Sequence, residues 1–338
     1  MGEVTGKMTD AAIDDGTGQT RILLTGATGF LGRAVLAEAR AQRLQVIALC
    51  RAAAPEKGAQ GKVISWIEAD LADPACIPRL REAARGCSAV IHAAAHLGSD
   101  EAAVTAATVD GTRHLLAALE GLQLHLVLVS SIGVYDTARL SPGADVTERT
   151  PLETSATARD PYIAGKLAQE ELCRAADLPL WILRPGVIFG AGRTWNAHLG
   201  PTLGPLLIRV GTKGELPLAH VSHVAKRLLQ AALRRPDGVR VVNVIDPDRP
   251  DRTRFLRAHA ASGWPKAVLP LPWPLWMLAA KLLAPLASRL PGLLRVPVLK
   301  ARMMPLHYPD KGLVAALGSL PQDRFGALMA RALQESRE

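Results

Sequence analysis

An apolar strand that runs without interruption into a spaced glycine triad and then a helix leaves a chain few folds to choose from. Here Ile22-Leu23-Leu24-Thr25 leads straight into Gly26-Ala27-Thr28-Gly29-Phe30-Leu31-Gly32, and an Ala/Leu-rich helical stretch follows from Leu31 to Gln42. Glycines at such a strand-to-helix turn let backbone approach a pyrophosphate, toward which the helix N-terminus points unpaired N–H groups and a positive dipole end. The spacing is Gly-x-x-Gly-x-x-Gly rather than Gly-x-Gly-x-x-Gly. Such a triad is informative only after the first strand of an α/β chain.

The rest of the chain supplies that context. Short runs rich in Val, Ile and Leu recur at 45–50, 63–67, 89–93, 125–130, 180–184 and 240–245 and read as buried parallel strands. Helical periodicity fills 77–85, 111–119 and 164–176 between them. The expected fold is α/β, a Rossmann-type doubly wound parallel sheet with a smaller C-terminal substrate-binding lobe. The expected division is a flexible leader over 1–20, a dinucleotide-binding core with its catalytic helix over 21–190, and a substrate lobe over most of 191–338. A strand near 240–245 should return to the core.

The end of the second strand normally reads the adenosine ribose, with a carboxylate for a 2′-hydroxyl. This chain has Cys50-Arg51 there, and Arg33 follows the glycine turn. Guanidinium forks match a 2′-phosphate, which favours NADP(H) and leaves NAD(H) open. Farther on, Asp160-Pro161 should cap and start a helix, which sets Tyr162 and Lys166 four residues apart on one face. A nearby ammonium favours phenolate, so this pair suits acid–base work. Alone, the pattern is also common on surface helices.

The pair is accompanied by Ala69-Asp70-Leu71, His92-Ala93-Ala94-Ala95, Ser130-Ser131-Ile132-Gly133-Val134-Tyr135 and Arg184-Pro185-Gly186-Val187-Ile188-Phe189-Gly190. With these pieces in order, about half the chain resembles the extended short-chain dehydrogenase/reductase family, which includes NAD(P)-dependent epimerases/dehydratases and 3β-hydroxysteroid dehydrogenase-like enzymes. The resemblance implies that Ser131 hydrogen-bonds the substrate oxygen, Tyr162 exchanges its proton, and Lys166 also holds the nicotinamide ribose. It further implies a cofactor cleft formed by Gly26, Thr28, Gly29, Phe30, Leu31, Gly32, Arg33, Arg51, Asp70, Leu71, Ala93, Ala94, Ala95, Pro185 and Val187, with no metal required. Two departures stand out. Thr108-Val109-Asp110-Gly111-Thr112 replaces the family's Asn-Val-x-Gly-Thr, and His220-Val221-Ser222-His223-Val224, preceded by the apolar Leu216-Pro217-Leu218-Ala219, replaces its His-Val-Asp-Asp-Val. The second leans away from a nucleotide-sugar diphosphate and toward a less polar substrate. His92 and His220 read as packing residues.

Net charge is +9, and it is local: 252–309 holds nine basic residues and no Asp or Glu. Those residues lack the aromatic interleaving and recognisable folds of a nucleic-acid module. Within this tract, 267–280 is uncharged but broken by prolines and too short to span a bilayer. Two readings remain for 267–302: Trp273, Trp276 and Met277 form the lobe's core, or the tract touches lipid with its tryptophans at headgroup level. Four widely spaced cysteines read as reduced and structural. Met1 to Thr20 has no signal-like apolar run, so a cytoplasmic location is the expectation, with surface membrane association added on the second reading. A homodimer stays open. The function expected is an oxidoreductase interconverting a secondary alcohol and a ketone, on a steroid, isoprenoid or lipid-linked substrate. The alternatives are a nucleotide-sugar epimerase/dehydratase and a non-catalytic NAD(P)-sensing protein.

Overall fold

The computed structural model describes residues 20–52, 63–156, 158–211, 213–289, 292–319 and 323–337, with the side chains of 287–289 left aside. The leader expected over 1–20 lies almost wholly outside them. Twelve strands are described: β1 (Arg21–Thr25), β2 (Gln45–Cys50), β3 (Ile64–Glu68), β4 (Ala89–His92), β5 (His125–Val129), β6 (Leu180–Pro185), β7 (Val187–Phe189), β8 (Thr202–Leu203), β9 (Leu206–Val210), β10 (Leu218–His220), β11 (Val239–Val244) and β12 (Ala267–Leu271). The helices are α1 (Phe30–Ala41), α2 (Ile77–Ala84), α3 (Glu101–Val104), α4 (Gly111–Leu119), α5 (Pro161–Ala175), α6 (Val221–Ala232), α7 (Arg252–His259), α8 (Trp273–Leu282), α9 (Val296–Met303), α10 (Lys311–Leu317) and α11 (Phe325–Glu335).

Seven strands form one parallel sheet in the order β11-β6-β5-β4-β1-β2-β3. Alternation along β1 shows why its three central residues, Ile22, Leu23 and Leu24, are all apolar. Ile22 and Leu24 pack with Val35 and Leu36 of α1 and Leu228 of α6, whereas Leu23 packs with Leu80 of α2 and Leu115 of α4. Both sheet faces are covered, so both side-chain registers must be hydrophobic. After β3 the chain crosses to the other side of β1 and enters β4. The strand order reverses there, and that reversal opens a crevice at the carboxyl ends of β1 and β4.

Strand β11 pairs with β6, with Val239 opposite Leu180 and Val244 opposite Pro185. The two smaller sheets, β7 with β10 and β8-β9-β12, were not foreseen from the sequence. Their strands span only two to five residues each, too short for a periodic signal. The apolar tract after Ala267 becomes β12 and α8, with Trp273, Trp276, Met277 and Ala280 packed against Val210, Leu299 and Met303. All four cysteines are free and buried. Among the described residues, no helix is long and apolar enough to cross a membrane.

Candidate active site

The crevice deepens into a cavity of about 600 Å³, and every residue expected to act in catalysis or cofactor binding lines it except Arg33. At the glycine turn, Gly26 has φ +71°, and a Cβ there would come within 2.8 Å of the Ala93 carbonyl carbon and Ala94 nitrogen. A Cβ on Gly32 would lie 2.1 Å from the Gly26 oxygen. Both positions therefore demand glycine, because turn, helix and the end of β4 approach backbone to backbone. Gly29 is the N-cap of α1 and no side chain caps that end, which leaves first-turn N–H groups for an anion. These features fit a dinucleotide pyrophosphate. Arg51 stands exposed on the cavity wall just beyond β2. Arg33 points elsewhere: its guanidinium donates to the Thr28 carbonyl at 2.7 Å from an exposed position, so it braces the turn from outside. Asp70 is exposed, and its Oδ1 accepts from the Ala72 N–H at 3.0 Å.

Helix α5 carries Tyr162 and Lys166 to the cavity wall. Asp160 caps it, accepting from the Ile163 N–H at 2.9 Å, and Pro161 occupies its first position. Gly165, between Tyr162 and Lys166, allows α5 to press on α3 and the π-helical turn Thr105–Asp110, since a Cβ there would meet Val104 Cγ1 at 2.5 Å. Ser131, at the mouth of β5, accepts the Gly133 N–H at 3.1 Å and lowers the Tyr162 pKa against burial.

The expected acidification of Tyr162 is not what the structure gives. Burial raises its pKa, Asp160 adds to the rise, and Ser131 pulls against both. Lys166 is itself buried and directs its ammonium to the Val129 carbonyl at 2.8 Å and Gln169 Oε1 at 2.9 Å. Desolvation lowers Lys166 to about 8, against weaker raising effects from Cys173 and Glu170.

Gln169 was missed by sequence reasoning. Its amide nitrogen lies 2.9 Å from Thr112 Oγ1 and 3.0 Å from His92 Nε2, while His92 Nδ1 is 2.7 Å from Thr25 Oγ1. A buried polar chain thus runs from Lys166 through Gln169 and His92 to the end of β1. Burial first, and then the Lys166 charge, lower His92 to about 3, so its imidazole is neutral. At the place where the family has Asn, Thr108 accepts the His96 N–H at 2.9 Å and its carbonyl accepts from the Thr112 hydroxyl. The one available signal was Gln169 itself, three residues after Lys166 on the same helix face.

Behind α5, Glu170 receives Arg184 through two hydrogen bonds of 2.9 and 2.6 Å and the Ser130 hydroxyl at 2.5 Å. Arg184 also donates to the Tyr135 hydroxyl at 2.9 Å, which in turn donates to Asn243 Oδ1 at 2.7 Å. On the cavity wall, the segment after Gly190 contributes Arg193 and His198, and α9 contributes Arg302. Burial, followed by Arg252, Arg302 and Arg159, lowers His198 to about 3, and its buried Nδ1 has no partner among the described residues.

Residues 22–243 match the family model described as NAD dependent epimerase/dehydratase family. Over 229 residues, the chain is 30% identical to a 4-hydroxy-2-methyl-3-oxo-4-farnesyl-3,4-dihydroquinoline-1-oxide ketoreductase of Stigmatella aurantiaca, covering 64% of this chain and 66% of that protein. It is 27% identical over 214 residues to a ceramide reductase of Caulobacter vibrioides, covering 62% of this chain and 59% of that one. The match thus spans less than two thirds of each relative's length. The fold superposes on MoeE5, solved in complex with UDP-glucose and NAD, with TM-score 0.68 and 20% identity, covering 94% of this chain and 98% of that chain.

Proposed function

The chain belongs to the NAD dependent epimerase/dehydratase family and is an enzyme of that type; within it, we propose an NADP(H)-dependent oxidoreductase that interconverts a secondary alcohol and a ketone on a lipophilic substrate. The observation that carries this reading is the meeting of Ser131, Tyr162 and Lys166 on the wall of the cavity that the glycine turn also lines. The ketoreductase and ceramide reductase relatives, whose names indicate apolar substrates, support the substrate class. Arg51, with no carboxylate at the end of β2, supports NADP(H).

When bound, the nicotinamide supplies or accepts the hydride. This chain's residues do the rest. In the reducing direction, Ser131 Oγ donates a hydrogen bond to the carbonyl oxygen and holds the carbon in reach. Tyr162 Oη gives its proton to that oxygen as negative charge develops there, which completes the alcohol hydroxyl. Lys166, on the same face of α5, would hold the nicotinamide ribose beside the phenol. Val129 and Gln169 orient Lys166.

A second reading, a nucleotide-sugar epimerase or dehydratase, is favoured on the cavity wall by Arg193, Arg302 and His198, whose Nδ1 is unpartnered among the described residues, a set that suits a diphosphate. One assay separates the two. Consumption of NADPH with long-chain ketones, preferred over NADH and reduced ~10-fold by Arg51→Ala, is the result expected of the first reading. Turnover of a UDP-sugar without net cofactor consumption would contradict it and establish the second.

A further inference from the structure

The apolar tract after Lys266 presents two faces with different fates. Trp273, Trp276, Met277 and Ala280 turn inward, and Trp276 Nε1 donates to the Leu293 carbonyl at 2.8 Å. The tryptophans that the sequence offered as lipid anchors thus belong to the lobe's core. On the opposite side of α8, Leu275, Leu278 and Leu282 are 56%, 54% and 72% exposed. Their spacing of three and four residues places them on one helix face. The preceding edge strand β12 adds Val268 and Leu269, both exposed. Single exposed leucines are ordinary, but a face of them on one helix with an apolar strand leading in is the pattern of an interaction surface.

Charge decides what covers it. From 252 to 309 there is no carboxylate, and Lys266 and Lys281 stand exposed before β12 and within α8. A second copy of this surface would set cation against cation. Ten residues of α8 are too few to span a bilayer, yet enough to lie in its interface with leucines down and lysines at the phosphates. We propose that this face of α8 docks on an anionic lipid surface. Because α8 packs on α9, whose Ala301 and Arg302 line the active-site cavity, docking would bring that cavity within one helix of the membrane.

The test is co-sedimentation of the full chain with phosphatidylcholine vesicles, with and without about a quarter phosphatidylglycerol. The chain should partition to the anionic vesicles, and less so as salt rises. Leu275→Gln/Leu278→Gln/Leu282→Gln should lower partition by at least about tenfold while leaving dinucleotide binding and the melting temperature near those of the parent. Lys281→Glu should weaken binding to the anionic vesicles only. Absence of partition, partition unchanged in the triple variant, or a dimer that the triple variant dissociates would each overturn the proposal. None of these readouts depends on catalytic activity, so the docking and the proposed reaction fail or survive separately.

Discussion

Lys166 and Glu170 lie one turn apart on α5 and carry opposite charges into the same interior, but their surroundings treat those charges in opposite ways. Glu170 meets a bidentate Arg184, the Ser130 hydroxyl and, at 3.4 Å, Arg174. Burial would raise its pKa, but the Arg184 and Ser130 contacts overcome that and hold it below the usual carboxylate range. Lys166 meets only dipoles, the Val129 carbonyl and the Gln169 amide, and desolvation brings it down to about 8. The Glu170 side is a fixed brace that ties α5 to β6 and, through Tyr135 and Asn243, to β11. The Lys166 side holds a charge that burial brings down to about 8, a shift of the kind the proposed acid–base chemistry would use.

Breaking the brace should have the largest effect on folding. Arg184→Met leaves Glu170 buried without its partner and should cost ~3–5 kcal/mol in urea unfolding, whereas Arg184→Met/Glu170→Leu should recover most of that loss. If the single and double variants lose equal stability, the pair is not the brace described.

The opposite sign is expected one turn away. Unfolded Lys166 keeps its proton up to about pH 10.4, while the folded chain releases it near 8. Between those values the unfolded state binds more protons, so this group's contribution makes stability rise with pH, and its full cost is felt below about 8. Lys166→Met should therefore abolish turnover yet stabilise the protein at pH 7 by ~1–3 kcal/mol, after allowance for two acceptors left without their donor. That gain should shrink as pH rises from about 8 toward 10. A gain independent of pH would mean that Lys166 titrates normally.

Gln169 gives the finest adjustment. Gln169→Glu puts a carboxylate beside Lys166 and should move the alkaline limb of the kcat/KM profile upward, whereas Gln169→Leu should move it downward and slow turnover roughly tenfold. A merely structural role would change rates without moving the limb.

The same contrast explains what was legible in the sequence. Gly26-x-x-Gly29-x-x-Gly32 and Tyr162-x-x-x-Lys166 encode their geometry locally, in a turn and in one helical repeat, and the seven core strands announce themselves as apolar runs. The polar chain behind Lys166 joins residues as far apart as Gln169 and His92, and the brace joins Tyr135 to Asn243, pairings that no spacing rule connects. Arg33 had the right chemistry for a phosphate, but its place in the first turn of α1 brings it back to Thr28. Nor could periodicity orient α8, because Trp273-Pro274-Leu275-Trp276-Met277-Leu278 is apolar on every face and only packing decides which side turns inward.

The most direct test of the site as a whole is Tyr162→Phe, assayed for NADPH binding by calorimetry and for ketone reduction by absorbance in parallel. Binding within about twofold of the parent, with turnover reduced by ~10³-fold or more, is the result expected if Tyr162 supplies the proton. Retained turnover would contradict that role and with it the chemistry assigned to this cavity.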